Sequence, residues 1–332
     1  MGDYSLALLL VLAMVLAAEF VNGWTDAPNA IATVVSTRVM APSVAVVMAA
    51  TLNIVGALVT GTAVAATIGK GIVKPDIISL SVVAASMLTI VVWSTIAWRF
   101  GLPTSESHEL IASLAGAGFA TAGPSVLLWA GWKKVVMGLG FSTILGFGLS
   151  LIVMGVLYYL VRRMTVVTVR AIFGRAQILS SAFMAFSHGS NDGQKFMGAF
   201  ALALLLGGAT DKFAVPTWII LLCGVTMGLG TAFGGWRIIN TMGFKLTKLE
   251  PVHGFAAESS AASAIQIASI WGIPLSTTHT INTAIMGVGA TRRLSAVRWG
   301  VTKNIVNAWV LTFPGCFILG AILGLAFKVV GL

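Results

Sequence analysis

The sequence predicts an all-α, polytopic membrane bundle of two inverted repeats with re-entrant or broken helices, and three observations predict it. Of 332 residues, 58% are hydrophobic and 9% are charged, where a soluble domain has roughly a quarter of its residues charged. The apolar residues gather into runs of helical length. A short pattern of Gly, Pro, Ser and His also occurs twice, once in each half of the chain.

The apolar runs cover 6–21, 42–68, 77–98, 135–160, 216–236 and 301–327. As helices they are long enough to cross about 30 Å of hydrocarbon, and barrel strands would instead alternate over about ten residues. Their many Gly, Ala, Ser and Thr residues let helix backbones approach closely in lipid. The first run lacks a basic flank, with Asp3 the one charge before it, so it is expected to be a retained helix and not a signal segment. Cys223 and Cys316 lie within apolar runs, where cysteine packs as a small hydrophobe and predicts no disulfide. Trp98, Trp129, Trp132 and Trp299 stand near run ends and are expected as interface anchors.

The net charge of +10 does not point to nucleic acid, because Lys and Arg lie mostly in short connections between apolar runs, the signature of membrane topology. Arg162, Arg163, Arg170 and Arg175 make the densest basic stretch. It divides the chain into a first repeat at 1–160, a basic cytoplasmic connecting loop at 161–175 and a second repeat at 176–332. The expected location is the inner (plasma) membrane of a cell, crossed several times.

The repetition is explicit. Gly101-Leu-Pro-Thr-Ser-Glu-Ser-His108 matches Gly272-Ile-Pro-Leu-Ser-Thr-Thr-His279, an offset of 171, and Gly116-Ala-Gly118 matches Gly287-Val-Gly289 at the same offset. Gly23-Trp-Thr-Asp26-Ala-Pro-Asn29 pairs more weakly with Gly189-Ser-Asn-Asp192-Gly-Gln-Lys195 at an offset of 166. Two matches in one order at nearly equal offsets indicate a duplication. Carriers built from two repeats hold substrate near the midplane, where interrupted helices meet, and these motifs are expected to interrupt their segments.

Of the ten acidic residues, Glu19, Asp26, Glu106, Glu109, Asp192 and Glu258 lie in or beside apolar segments, where carboxylates are costly and usually functional. Asp26 and Asp192 are symmetrically placed. Glu19 and Glu258 have no counterpart and divide evenly between structural and functional roles, while Glu109 is expected at a helix surface or interface. Pro103 and Pro274 suit the first turn of a helix, so the residues after them present unpaired N–H groups at a positive helix end, a ready anion site. Thr104, Ser105 and Ser107 from one half, with Ser276, Thr277 and Thr278 from the other, can surround a tetrahedral oxyanion. Plain N-capping by Ser and Thr is the alternative. His108 and His279 can support those hydroxyls, shuttle a proton or bond a neighbouring helix.

Taken together, these motifs resemble the inorganic phosphate transporter (PiT) family, whose signatures are a Gly-x-x-Asp-x-x-Asn-Ala element and a Pro-x-Ser-x-x-His element. They read here Gly23 to Ala30, Gly189 to Lys195, Pro103-Thr-Ser-Glu-Ser-His108 and Pro274-Leu-Ser-Thr-Thr-His279. The stretch from Gly287 to Gly300 is similar to the bacterial members. The resemblance implies re-entrant helical hairpins, phosphate held by the Ser/Thr half-helices, and a coupling cation held by the Asp/Asn elements, that is Asp26, Asn29, Asp192 and the position of Lys195. Where sodium-coupled relatives carry a second Asn, this chain has Gln194-Lys195, similar to proton-coupled bacterial permeases. Lys195 is expected to pair with Asp192 or else to snorkel towards an interface.

The reading is therefore a symporter of inorganic phosphate, coupled to H⁺ and not to Na⁺, that is not an enzyme and needs no cofactor or resident metal. A Na⁺-coupled phosphate symporter, a sulfate permease of the same superfamily and a passive channel are the alternatives. An intramembrane hydrolase built on Ser105 and His108 is rejected, since duplicating such a pair has no catalytic rationale. Hydrogen phosphate carries a donor proton and sulfate does not, so an acceptor carboxylate, Glu106, Asp26 or Asp192, would separate the two. The proton candidates are those three acids with His108 and His279. Partners are phosphate, the coupling cation and the lipid bilayer, with no nucleic acid and a homo-oligomer left open.

Overall fold

A computed structural model describes residues 5–330. Twelve α-helices follow one another: α1 (Leu6–Ser36), α2 (Pro42–Val59), α3 (Ala63–Gly71), α4 (Leu80–Arg99), α5 (Glu106–Ala122), α6 (Trp129–Val161), α7 (Val166–Leu206), α8 (Thr217–Phe233), α9 (Trp236–Ile239), α10 (Pro251–Ile270), α11 (Thr277–Arg292) and α12 (Trp299–Val330). No strand occurs among the described residues. Five helices, α1, α2, α4, α6 and α12, are long and apolar enough to cross a membrane, and α8 bends by 63° into α9 and the π-helical turns that follow it. The six apolar runs of the sequence thus fall on these elements.

The duplication is visible in the order of elements. The series α4, α5, a 3-10 turn at Pro124–Val126 and α6 measures 20, 17, 3 and 33 residues, and α10, α11, a turn at Leu294–Ala296 and α12 measure 20, 16, 3 and 32. The packing does not follow the two halves. Gly23 of α1 lies where a Cβ would come within 2.1 Å of the Met227 carbonyl of α8, and Gly189 of α7 stands in the same relation, also at 2.1 Å, to the Asn53 carbonyl of α2. Gly116 of α5 meets the Phe317 carbonyl of α12 at 2.0 Å, and Gly287 of α11 meets that of Phe147 on α6 at 2.5 Å. Each of these four pairs joins one helix from the first half to one from the second, with glycine allowing backbone contact that any side chain would block. Two apolar cores form around this weave, one of them built on Leu8, Val11, Ile68, Met87 and Leu114 and the other on Ile31, Met184, Ile265 and Ile285.

The structure corrects the sequence in four places. The run 42–68 is two helices, because Gly61 takes φ +81° and turns the chain between α2 and α3. The connection expected over 161–175 is mostly helical: non-helical backbone is confined to 162–165, Thr165 caps the next helix through the Thr168 N–H, and Arg170 and Arg175 lie in the first turns of α7. Arg is a good helix former, and its charge marks a loop no better than it marks a solvated helix end. The Asp26 and Asp192 motifs do not interrupt their helices but lie inside the continuous α1 and α7, with Pro28 in α1. Their glycines serve close helix contact instead of a break. Pro103 and Pro274, expected in the first turns of their helices, stand two residues before the N-caps Ser105 and Ser276, while Glu109, expected at a helix surface or interface, is fully buried against Ser94 of α4.

Candidate substrate and coupling site

The breaks that do occur are those before α5 and α11. Gly101 at φ +67° and Gly272 at φ +64° turn the chain out of α4 and α10, a left-handed conformation that glycine adopts without penalty. Pro103 and Pro274 then lead to Ser105 and Ser276, whose hydroxyl oxygens accept from the N–H groups of His108 (3.4 Å) and His279 (3.1 Å). Both serines are N-caps, so each hydroxyl serves its own helix. The first N–H groups of these helices have no carbonyl partner within the helix, and the positive ends of both face the same region. Proof of the convergence is the pair of matched histidines: the His108 and His279 rings touch edge to face at 4.6 Å, and His279 stacks on Trp309 at 3.9 Å.

Helices α1 and α7 bring the acids to this meeting point. The two ion pairs found among the described residues both converge on Asp192: Lys195 Nζ lies 2.5 Å from Oδ1, and His188 Nε2 lies 3.4 Å from Oδ2. Lys195 is 1% exposed and does not snorkel. Its three ammonium protons find three acceptors, Asp192 Oδ1 at 2.5 Å, Ser107 Oγ at 2.5 Å and the Leu275 carbonyl at 3.1 Å, which satisfies a buried ammonium in full. Thr277 donates to Asp192 Oδ2 at 2.9 Å. In the first half, Asn29 takes the place of Lys195 and donates to Thr278 (2.9 Å) and Thr277 (3.3 Å), while Thr278 sits 3.2 Å from both oxygens of Asp26. Lys195 therefore reaches across to α5, and Asn29 reaches across to α11.

Ser107, Thr277 and Thr278 are thus at the junction, together with Asp26, Asn29, Asp192 and Lys195. Ser105 and Ser276 cap, and Thr104 lines an apolar cavity with Trp93, Phe100 and Leu102. Glu106 is buried beside the junction, hydrogen-bonded to Thr25. Sequence reasoning missed His188, which sits four residues before Asp192 where the first half has Asn22. It also did not single out Thr25, although that residue lies inside the Asp26 motif, or Ser94, which carries no motif. One atom from each of Asp26, His188 and Asp192 lies within 4.8 Å of the others, a grouping with metal-ligand chemistry, although the Lys195 ammonium already supplies positive charge to the same carboxylate. Away from the junction, Glu258 on α10 accepts from Thr33, from Ser180 and from Gln177 Nε2 (3.2 Å). Near one end of the bundle, cavities of about 520 and 600 Å³ are lined by Arg38, Arg170, Lys248 and Arg298 and by Arg292, Arg293 and Lys248.

Matched helix ends, paired hydroxyls and a buried ammonium are groups whose chemistry suits an oxyanion. Residues 22–320 match the model of the phosphate transporter family. The chain belongs to that family. It is 44% identical over 313 residues to a protein of Rhizobium meliloti named a probable low-affinity inorganic phosphate transporter, covering 94% of each chain. It is 39% identical over 317 residues to a Bacillus subtilis protein of the same name, covering 95% of each. A solved structure described as the sodium-dependent phosphate transporter superposes with a TM-score of 0.88 at 25% identity, covering 98% of this chain and 100% of that one. These relatives are named as transporters and not as enzymes, and with its apolar helices this family member is a multi-pass membrane protein.

Proposed function

We propose that this chain is a proton-coupled symporter of inorganic phosphate in the inner (plasma) membrane, working by alternating access between two repeats of opposite orientation, 1–160 and 176–332. The observation that carries the reading is the Lys195 ammonium held between Asp192, Ser107 and the Leu275 carbonyl at the meeting of the two capped helix ends. Phosphate oxygens entering there would take over the ammonium's contacts with Ser107 and Leu275, the first N–H groups of α5 and α11, and the hydroxyls of Thr277 and Thr278. The helix ends contribute fixed partial positive charge, which favours a dianion in a region without bulk water. A neighbouring carboxylate accepts the proton of hydrogen phosphate, and sulfate has no proton to offer.

The coupling ion follows from the same lysine. An ammonium fixed on Asp192 repels a sodium ion in that half by several kcal/mol at low effective dielectric, and Asp192 already receives Lys195, Thr277 and His188. A sodium-coupled reading has one observation in its favour, the Asp26, His188 and Asp192 grouping, and the similar solved structure is described as sodium-dependent. Labelled phosphate uptake into proteoliposomes separates the two. Accumulation should follow an inward proton gradient without sodium and resist excess sulfate, whereas a strict need for a sodium gradient would overturn the proton claim.

A further inference from the structure

Glu106 and Glu109 stand three residues apart on α5, 2% and 0% exposed, and the hydrogen bonds around them do not balance if both are ionised. The Thr25 and Ser94 hydroxyls contact the pair directly, and the Thr104 hydroxyl stands beside Glu109. Thr25 on α1 contacts the Val21 carbonyl at 2.9 Å and also Glu106 Oε1. Ser94 on α4 contacts Glu109 Oε2 at 2.5 Å and Glu106 Oε1 at 3.3 Å. A hydroxyl owns one proton and an ionised carboxylate none, so these four acceptor contacts have two protons to share. The remaining oxygens, Glu106 Oε2 and Glu109 Oε1, are buried without any partner.

Glu19 and Asp26 are also short of donors, with Asn22 alone on Glu19 and the Thr278 hydroxyl alone on Asp26. Neither stands one helix turn from a second carboxylate bridged to it by a shared hydroxyl, and the remaining buried acids are well served. Asp192 has an ammonium, and Glu258 receives the Thr33 and Ser180 hydroxyls and the Gln177 amide. The groups facing the α5 pair offer no cation to replace a missing proton. Asp26 on α1 and Asp192 on α7 act on Glu106 as further negative charge, the Ser94 hydroxyl is what α4 presents, and the Cys316 thiol stands near Glu109 on α12. Lys195 is turned to Asp192. Two adjacent carboxylates in a dry site cannot both remain ionised without a compensating charge.

We propose that Glu106 and Glu109, bridged by Ser94, form a carboxyl pair that holds one exchangeable proton and is the proton-binding site of the transport cycle. The proton bonds to a carboxylate oxygen of the pair on loading and leaves that oxygen as H⁺ on release, with no electron transfer. Its position fits the task, because Glu106 is the residue next to the Ser105 cap and to Ser107, which contacts Lys195. Binding at the anion site and protonation of the pair are thereby linked through one helix turn. The second half has Thr277 and Thr280 at the matching positions, so the proton site belongs to one half alone.

This inference rests on the phosphate symport reading, and the test separates the two. Full-length protein in proteoliposomes is examined by infrared spectroscopy for the carbonyl stretch of a protonated carboxylic acid, identified by its shift in D₂O, and for phosphate accumulation under a proton gradient. The wild type should show the band. Glu106→Gln and Glu109→Gln should each diminish it and lose proton-driven accumulation. A band unchanged in both Gln variants, or accumulation like the wild type in both, overturns the carboxyl pair and leaves phosphate transport standing. A wild type that shows the band but carries no phosphate overturns the transport reading instead. Folding of each variant is read from the amide bands of the same spectra, and the two single Gln variants serve as checks on each other.

Discussion

The two copies of the site share a frame and differ in charge. Around Asp192 the second half places an ammonium and an imidazole, and its helix α11 begins with neutral Thr277 and Thr278. Around Asp26 the first half places the amide of Asn29, and its helix α5 begins with Glu106 and carries Glu109 one turn on. Ser105 and Ser276 cap α5 and α11 in the same way, so the backbone device at the start of each helix is the same in both halves. The side chains then diverged so that positive charge gathers in one half and acid in the other. On the proposed reading, one half serves the anion and the other the cation that accompanies it.

The comparison breaks most sharply at Lys195. Lys195→Met leaves Asp192 buried with its chief partner gone, a loss of about 3–5 kcal/mol that should appear as a marked fall in thermal unfolding temperature along with loss of uptake. Adding Asp192→Asn should recover much of the stability and none of the transport, and a double variant no more stable than the single one would mean the pair is not coupled. Next come the matched glycines. Gly23→Ala and Gly189→Ala each drive a Cβ to 2.1 Å from a backbone oxygen, so both should lose about 1–3 kcal/mol or more and reduce folded protein in the membrane alike. Gly140→Ala and Gly148→Ala, with nothing within 4 Å, should be silent. Unequal damage at Gly23 and Gly189 would show that the shared frame is less symmetric than the backbone indicates.

A finer contrast separates the hydroxyls. Thr278→Ala removes the partner of both Asp26 and Asn29 and should cost about 1–3 kcal/mol in phosphate affinity, read as a raised KM for uptake. Ser276→Ala keeps those contacts and removes only a cap, so it should act on stability by about 1 kcal/mol with a smaller change in KM. The reverse pattern would mean that the cap, and not Thr278, faces the anion. Smallest of all is the effect of the basic end of the bundle. Arg298→Gln or Lys248→Gln should change uptake a few-fold at low ionic strength and hardly at all at high salt, since screened charges steer without binding.

Much of this was legible in the residues. Six apolar runs predicted the long apolar helices, and the Pro-x-Ser-x-x-His motifs predicted that a helix starts at each, although the prolines stand before the caps and capping by Ser105 and Ser276 was expected only as the alternative to anion binding. The Asp192 and Lys195 spacing predicted their ion pair, since residues three apart share a helix face. The helices α5, α7, α10 and α11 were harder to read as spans because their interior surfaces carry the polar residues of the site, and interior polarity lowers hydropathy without moving a helix out of the bundle. Glu109 was legible as a surface or interface residue, but which interface was not, because its partner Ser94 is on a different helix and carries no motif. The cross-half pairing of α1 with α8 and of α5 with α12 had a trace in the small residues, but a glycine does not say which backbone it admits.

That weave has a consequence for how the protein is made. When α5 leaves the ribosome with its two glutamates, the helix that will cover its glycine face, α12, is synthesised some 180 residues later in the chain. During the interval α5 has α4 beside it and an open seam on its other side. The first half cannot complete its packing alone, and a truncated product has no stable shape to hide in. The glycine face of α5 is therefore covered only once α12 packs against it. Expressed as two separate halves, the protein should accumulate only when both halves are present in the same membrane.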